Sequence, residues 1–314
     1  MSLRERSLVL PMSQASLQEQ KREMDHIAGD GVGFYRLSLL LKELTGIYLS
    51  DSPKNRSLLV TRLIQMFREQ EIESLSEYYQ ILRSAGAASP EVAEFVSSMT
   101  TNTTRFFRES SHFKQLQQAI SGLIEIKSQM HGVDATEIRV WCAAASTGQE
   151  PYTIAMVIQE ELSRLSPVKN WRLKMLASDI DTPSLNKAVA GVYLEKEIEG
   201  VPAPYLKKYF VDRVDSKGQK KFVIHPGIAS RITFAEINLV TQPYPMKNPF
   251  DVVFCRNVLI YFDRETAERV VANIGRTVRP GGYLFLGHSE SGAMKERDFQ
   301  TISHSVYRKR RANS

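Results

Sequence analysis

The stretch VWCAAASTGQEPYTIAM, residues 140–156, constrains this chain more than any other. An apolar run leads into small residues, a single glycine follows at Gly148, and an amphipathic helical pattern starts at once. The unit is then repeated in kind. IRVWCAA reads as a strand, GQEPYTIAMVIQEEL as a helix, WRLKMLASDID as a strand and TPSLNKAVAGV as a helix. FDVVFCRNVLIYF is a third strand, RETAERVVANIGRTV a helix, and RPGGYLFLGH and HSVYRKR are closing strands. Apolar strands alternating with helices require a largely parallel sheet covered on both faces, an α/β fold.

The chain before Glu137 has a different texture. Residues 1–30 are polar without a sustained period and read as a flexible N-terminal extension, a mobile tail or a loose helix. Residues 31–88 carry helical spacing in FYRLSLLLKELTGIYL, in SPKNRSLLVTRLIQMFREQ with Pro53 behind Ser52, and in SLSEYYQILRSAG. They predict an N-terminal all-α domain, with GAASPEV as the linker to a catalytic domain over 89–314. Within that domain, about 191–230, KKYFV and KKFVIH flank a polar turn from Asp215 to Gly218 and predict a small inserted β subdomain. In the helix after Pro53, Leu59, Leu63 and Met66 should face the core. Lys54, Arg62 and Arg68 are then expected on the outer surface, against an acidic partner helix or simply in solvent.

With 314 residues and 42% hydrophobic content the chain can bury a full core. It has no apolar run long enough to span a membrane and no secretory signal pattern, so a cytoplasmic location without membrane insertion is expected. Cys142 and Cys255 sit in apolar strands, which predicts buried free thiols and no zinc site. The net charge of +6 favours an acidic partner.

A dinucleotide-binding turn needs three glycines for close approach to a pyrophosphate. Ala143, Ala144, Ala145, Ser146 and Thr147 leave less room, and Glu150 near the mouth of the following helix would repel a diphosphate. A cationic ligand suits it better, such as the sulfonium and ammonium groups of S-adenosylmethionine; an ordinary strand–helix turn is the alternative. Asp179, first after the second strand, is placed to accept ribose hydroxyls, while Asp181 reads as a helix cap. Arg256 and Asn257 at the end of an apolar strand imply a polar role at the carboxyl edge of the sheet. Arg105 and Arg108 flank Phe106 and Phe107 in a cation-and-aromatic patch able to orient an anion.

The segments TTNTTRFFRE, VWCAAASTGQEPYTIA, ASDIDTPSL, INLVTQPYP, FDVVFCRNVLIYF and PGGYLFLGHSES together resemble the motifs of CheR-type chemotaxis receptor methyltransferases, in order, from about Phe34 to the end. The resemblance implies a Rossmann-like methyltransferase sheet and transfer of methyl from S-adenosylmethionine to chemoreceptor glutamates, leaving S-adenosylhomocysteine. It implies cofactor contacts from Asn102, Thr104, Arg108, Glu150, Asp179, Asn238, Leu239, Arg256 and Asn257, and catalytic roles for Arg108 and Tyr261. It further implies the cytoplasmic helical region of receptors as partner, docking on a receptor tail through the inserted subdomain, recruitment to membrane receptor clusters, a monomer, no metal and no nucleic acid. Departures are Gln149 where a second acid is common, Thr153 for serine, and a charged Arg105. A nucleic-acid methylase, a dehydrogenase and a non-catalytic cofactor-sensing module are the rival readings; the first would carry an Asn/Asp-Pro-Pro-aromatic signature that is absent here.

Overall fold

A computed structural model describes residues 14–130, 133–165, 170–295 and 297–311. They form two compact units, one holding the described residues up to 44 with 48–99, the other 45–47 with those from 100 onward.

The first unit is all α: α1 (Gln14–Ala28), α2 (Gly31–Thr45), α3 (Pro53–Glu69), α4 (Leu75–Ala85) and α5 (Pro90–Met99). Ser52 and Ser74 start α3 and α4 by accepting from the backbone N–H groups of Asn55 and Glu77, which satisfies donors a first helical turn leaves open. Leu59, Leu63 and Met66 are buried as their spacing predicts.

One open alternative is decided in favour of a helix, and two expectations change. Residues 14–28 are helical and pack on α3, where Arg68 pairs with Glu23 at 2.6 Å; residues 1–13 lie outside the described residues. The boundary at 88 moves to Met99, because Ser89 caps α5 through Val92 N–H and the apolar side of α5 is buried, Phe95 against the Tyr78 ring. Arg62 is not a free surface charge: it donates to the carbonyls of Ser98 and Met99 at the end of α5, where a cation complements the helix dipole.

The second unit continues with α6 (Ser111–Ser128), β1 (Glu137–Cys142), α7 (Gln149–Leu165), β2 (Arg172–Asp179) and α8 (Thr182–Ala190). Then come β3 (Val192–Leu194), α9 (Ala203–Tyr209), β4 (Phe210–Val214), β5 (Lys220–Ile224) and α10 (Pro226–Ala229). It closes with β6 (Ile232–Glu236), β7 (Phe250–Cys255), α11 (Arg264–Thr277), β8 (Val278–Leu286), β9 (Phe299–Ser303) and β10 (Val306–Lys309). The seven-stranded sheet runs β6-β2-β1-β7-β8-β10-β9, parallel from β6 to β8, with β10 antiparallel to β8. β7 is buried along its whole length, as an interior strand covered on both faces must be.

A separate antiparallel sheet, β3-β5-β4, forms the inserted subdomain. Its polar turn is organised by Asp215, whose carboxylate accepts from the N–H groups of Lys217 and Gln219. β3, β6 and β9 were not read from the sequence, since each is short or interrupted by polar residues. At the N-terminal ends of the strands, Asp251 holds Lys127 at 3.1 Å and Arg279 at 3.2 Å. That buried ionic cluster ties α6 and β8 to the sheet, on the side away from the carboxyl ends. Among the described residues no helix is long and apolar enough to cross a membrane.

Candidate functional site

The chain reverses direction across the sheet between β1 and β7: it leaves β1 toward β2 and β6, then returns to β7 and β8. In an open α/β sheet the crevice at such a point, outside the carboxyl ends of the strands, is where ligands bind. A cleft of about 850 Å³, open mouth included, lies there. It is lined by all ten residues that the family resemblance implied: Asn102, Thr104, Arg108, Glu150, Asp179, Asn238, Leu239, Arg256, Asn257 and Tyr261. Thr45, Ile47 and Ser146 also line it, and Ile47 is held there by an antiparallel bridge to Phe262.

The alanine-rich turn works with one glycine. Ala143 and Ala145 are buried, so their methyl groups fill core space. The left-handed bend falls on Ser146 and on Gly148 at φ +97°. A Cβ on Gly148 would come 2.6 Å from the Tyr193 hydroxyl and 2.9 Å from the Ala188 methyl. Glycine is required there for helix packing, and nothing requires it where a pyrophosphate would sit.

Asp179 ends β2 and accepts from Ser146 N–H at 2.7 Å and Asp181 N–H at 3.1 Å. Burial pushes its carboxyl above the usual range, while these N–H bonds favour the ionised form. Asp181 sits at the start of α8, but its side chain makes no cap bond. Its carboxylate instead takes Asn102 Nδ2 at 2.7 Å and the Ser184 hydroxyl at 2.5 Å, so it fixes the Asn102 side chain at the cleft.

Arg256, whose side chain is fully buried, lies between two carboxylates, Glu150 at 2.5 Å and Glu109 at 2.9 Å, and also donates to the Arg108 carbonyl at 2.9 Å. Burial pushes the Glu150 carboxyl up, with Arg256 pulling against it. Burial also opposes ionisation of Glu109, but Arg256, Asn257 and His288 outweigh it and hold that carboxyl at about 2. Glu150 is therefore not the solitary carboxylate that the sequence suggested. The cluster of two acids and one guanidinium keeps one excess negative charge, which still suits a cationic ligand.

Glu109 was missed by sequence reasoning, although it directly follows the singled-out Arg108. Phe107 and Glu109 both adopt positive φ, near 55°, and this tight turn aims Glu109 back at Arg256 and Asn257. The expected cation-and-aromatic patch does not form as a unit. Phe106 is buried edge-on against Tyr193 and Phe210, Phe107 packs on Phe113 and Tyr205, and Arg105 is exposed. Arg108 alone of the pair reaches the cleft, its Nη1 tied to the Thr103 carbonyl at 2.9 Å.

Residues 102–308 match the family model described as CheR methyltransferase, SAM binding domain, and residues 33–100 match the CheR methyltransferase, all-alpha domain. The chain belongs to the CheR methyltransferase family. The chemotaxis protein methyltransferase of Escherichia coli K12 is 36% identical over 298 residues, covering 95% of this chain and 97% of that protein. A probable chemotaxis protein methyltransferase of Rhizobium etli is 38% identical over 266 residues, 84% of this chain and 94% of that protein. Chemotaxis protein methyltransferase 2 of Pseudomonas aeruginosa is 35% identical over 275 residues, 87% and 91% of the two chains. This CheR methyltransferase uses S-adenosylmethionine, and the cleft suits that cofactor in its acid at the end of β2 and in its excess of negative charge.

Glu290 is a further residue that sequence reasoning missed in this CheR chain. Its buried carboxylate accepts from four backbone N–H groups: Asn257 at 2.8 Å, Leu259 at 2.8 Å, Ile260 at 3.3 Å and Gly287 at 2.7 Å. A Cβ on Gly287 would lie 2.4 Å from this carboxylate, so the strand end must be glycine. The bonds pin the segment that carries Asn257, at φ +58°, and Tyr261 to the cleft. Glu290→Gln swaps an acceptor for a donor facing donors. It should cost about 1–3 kcal/mol of stability and weaken S-adenosylhomocysteine binding. Thermal melts and titration calorimetry check this; wild-type values in both would remove Glu290 from the site's support.

Proposed function

We propose that this CheR methyltransferase transfers methyl groups to glutamate side chains in the cytoplasmic helical region of chemoreceptors. The products are glutamate methyl esters, used for sensory adaptation, and S-adenosylhomocysteine. One observation carries the reading of the site: ten residues from separate segments converge on a single cleft at the carboxyl ends of the strands. When bound, S-adenosylmethionine supplies an electrophilic methyl on a sulfonium.

Asp179 would hold its ribose, and Asn102, Thr104, Asn238, Leu239 and Asn257 would frame the rest. The Glu109–Arg256–Glu150 cluster would offer its excess negative charge to the sulfonium and ammonium. A glutamate side chain, with a pKa near 4.3, is ionised at neutral pH. The transfer therefore needs alignment and removal of water, and no general base. Arg108 orients the accepting carboxylate and Tyr261 packs against the sulfonium side. Arg108→Lys should then lower turnover at saturating cofactor by about tenfold or more, because the planar fork is lost while the charge stays. A lysine variant with wild-type kcat would remove that role.

The acidic receptor is favoured by the +6 net charge. We assign recognition of a receptor tail to the β3-β5-β4 sheet, with the enzyme a cytoplasmic monomer recruited to membrane receptor clusters. The test is incubation with methyl-labelled S-adenosylmethionine and receptor-bearing membranes. Alkali should release the label as methanol from the receptor band. Alkali-stable label, or label in nucleic acid, would overturn the proposal.

A further inference from the structure

Beside the cleft, at the start of α6 and just past the end of β8, Glu109 meets two histidines, His112 and His288, that methyl transfer does not explain. The Glu109 Oε2 atom lies 3.5 Å from His112 Nδ1 and 3.7 Å from His288 Nε2. One donor atom from each of the three residues falls within 4.8 Å of the other two. His112 is 1% exposed, and neither of its ring nitrogens has a hydrogen-bond partner of good geometry. Its ring packs edge-on against Phe285 and against the His288 ring, with centroids 4.6 Å apart in the latter pair. A buried imidazole that makes no well-formed hydrogen bond is costly unless something completes it.

We propose that Glu109, His112 and His288 form a zinc site, and that zinc bound there slows methyl transfer by drawing Glu109 away from Arg256. Tetrahedral zinc with bonds of about 2.0–2.1 Å separates its ligand atoms by about 3.3 Å. Two of the three separations already lie within a few tenths of that value. Two imidazoles and a carboxylate are a donor set zinc accepts, with a fourth position left for water. His288 is 43% exposed and gives the ion a way in from solvent. The His304 ring nitrogen sits 3.0 Å from the His288 carbonyl and steadies that turn. The Ser111 hydroxyl, 3.4 Å from His288 Nε2, is the group the ion must displace.

The coupling comes from a shared atom. Glu109 Oε2 is also the partner of Arg256 Nη2 at 2.9 Å, and Oε1 accepts from Asn257 Nδ2 at 3.2 Å. A dication and a guanidinium compete for one oxygen. When zinc takes it, Arg256 keeps Glu150 and the Arg108 carbonyl, the excess negative charge of the cluster is gone, and a cationic cofactor is held less well.

The test is titration of the full chain with zinc chloride by calorimetry, in parallel with methyl-transfer assays with and without zinc and after chelation. His288→Ala is the informative variant, because His288 is exposed and does not line the cleft. The wild-type chain should bind one zinc in the micromolar range and lose activity reversibly. The variant should bind about 100-fold more weakly, since losing a ligand costs at least what losing an outer partner does, and its own metal-free activity, whatever its level, should be the same with and without zinc. Absence of saturable binding, or equal binding by His288→Ala, overturns the site. Binding that depends on His288 with no change in activity overturns the coupling. The inhibition arm rests on the proposed methyl transfer; the binding arm does not, so the two fail separately.

Discussion

Arg256→Met should destabilise the second unit by about 3–5 kcal/mol and abolish methyl transfer, the largest effect expected of any single substitution at the cleft. Removing one member of a buried ionic cluster leaves the others uncompensated, and here two carboxylates, Glu109 and Glu150, would face each other across the space of the guanidinium. Glu150 would respond by taking up a proton, since burial already pushes its carboxyl up and Arg256 is what opposes that shift. The sign of the pH dependence follows. A carboxyl whose folded pKa lies above its unfolded value contributes stability below the unfolded value and loses it as pH rises through the folded one. The deficit of the variant should therefore shrink as the pH is lowered from neutral. Denaturant unfolding of both proteins at neutral and lower pH measures it; a deficit that is small, or that grows on acidification, would mean the cluster is not the electrostatic centre of the site.

Asp179→Ala is the second large effect, and it acts on ligand affinity. Hydrogen bonds to a charged acceptor contribute roughly 1.5–3 kcal/mol each. Loss of the ribose contact should weaken S-adenosylmethionine binding on the order of tenfold to several-hundredfold. The same carboxylate accepts from Ser146 and Asp181 N–H groups, so a lowered melting temperature is expected alongside. Calorimetry on the folded variant checks the first part. Unchanged affinity would take the ribose role from Asp179; Asp181, occupied with Asn102 and Ser184, is poorly placed to receive it.

Much of the frame was legible because its cause is local. Alternation of apolar runs with amphipathic ones places β1, β2, β7 and β8 and the helices between them, since a strand covered on both faces is largely apolar; β7 is buried throughout, while β2 keeps exposed Arg172 and Lys174 at its start. The buried thiols, the serine caps of α3 and α4 and the turn at Asp215 follow the same way. Boundaries were less legible: α1 hides in a polar segment, and α5 continues a unit that GAASPEV seemed to end, because packing on distant helices decides both.

The ten cleft residues were reached by motif, but their arrangement was not. Residues 109, 150 and 256 are far apart in sequence, and nothing local says that Arg256 will lie between two acids, or that Glu290 will gather four N–H groups. Periodicity reports which face of an element is buried, and a strand end reports where a ligand can sit. Which charges then neutralise one another, and which carboxylate remains for a ligand, depends on distances between segments that only the folded sheet brings together. The sequence of this protein thus determined most of its helices, its long apolar strands and the cleft at their ends, because those rest on local patterning, while the tertiary structure alone decided its short strands, its unit boundary and the electrostatics of the cleft.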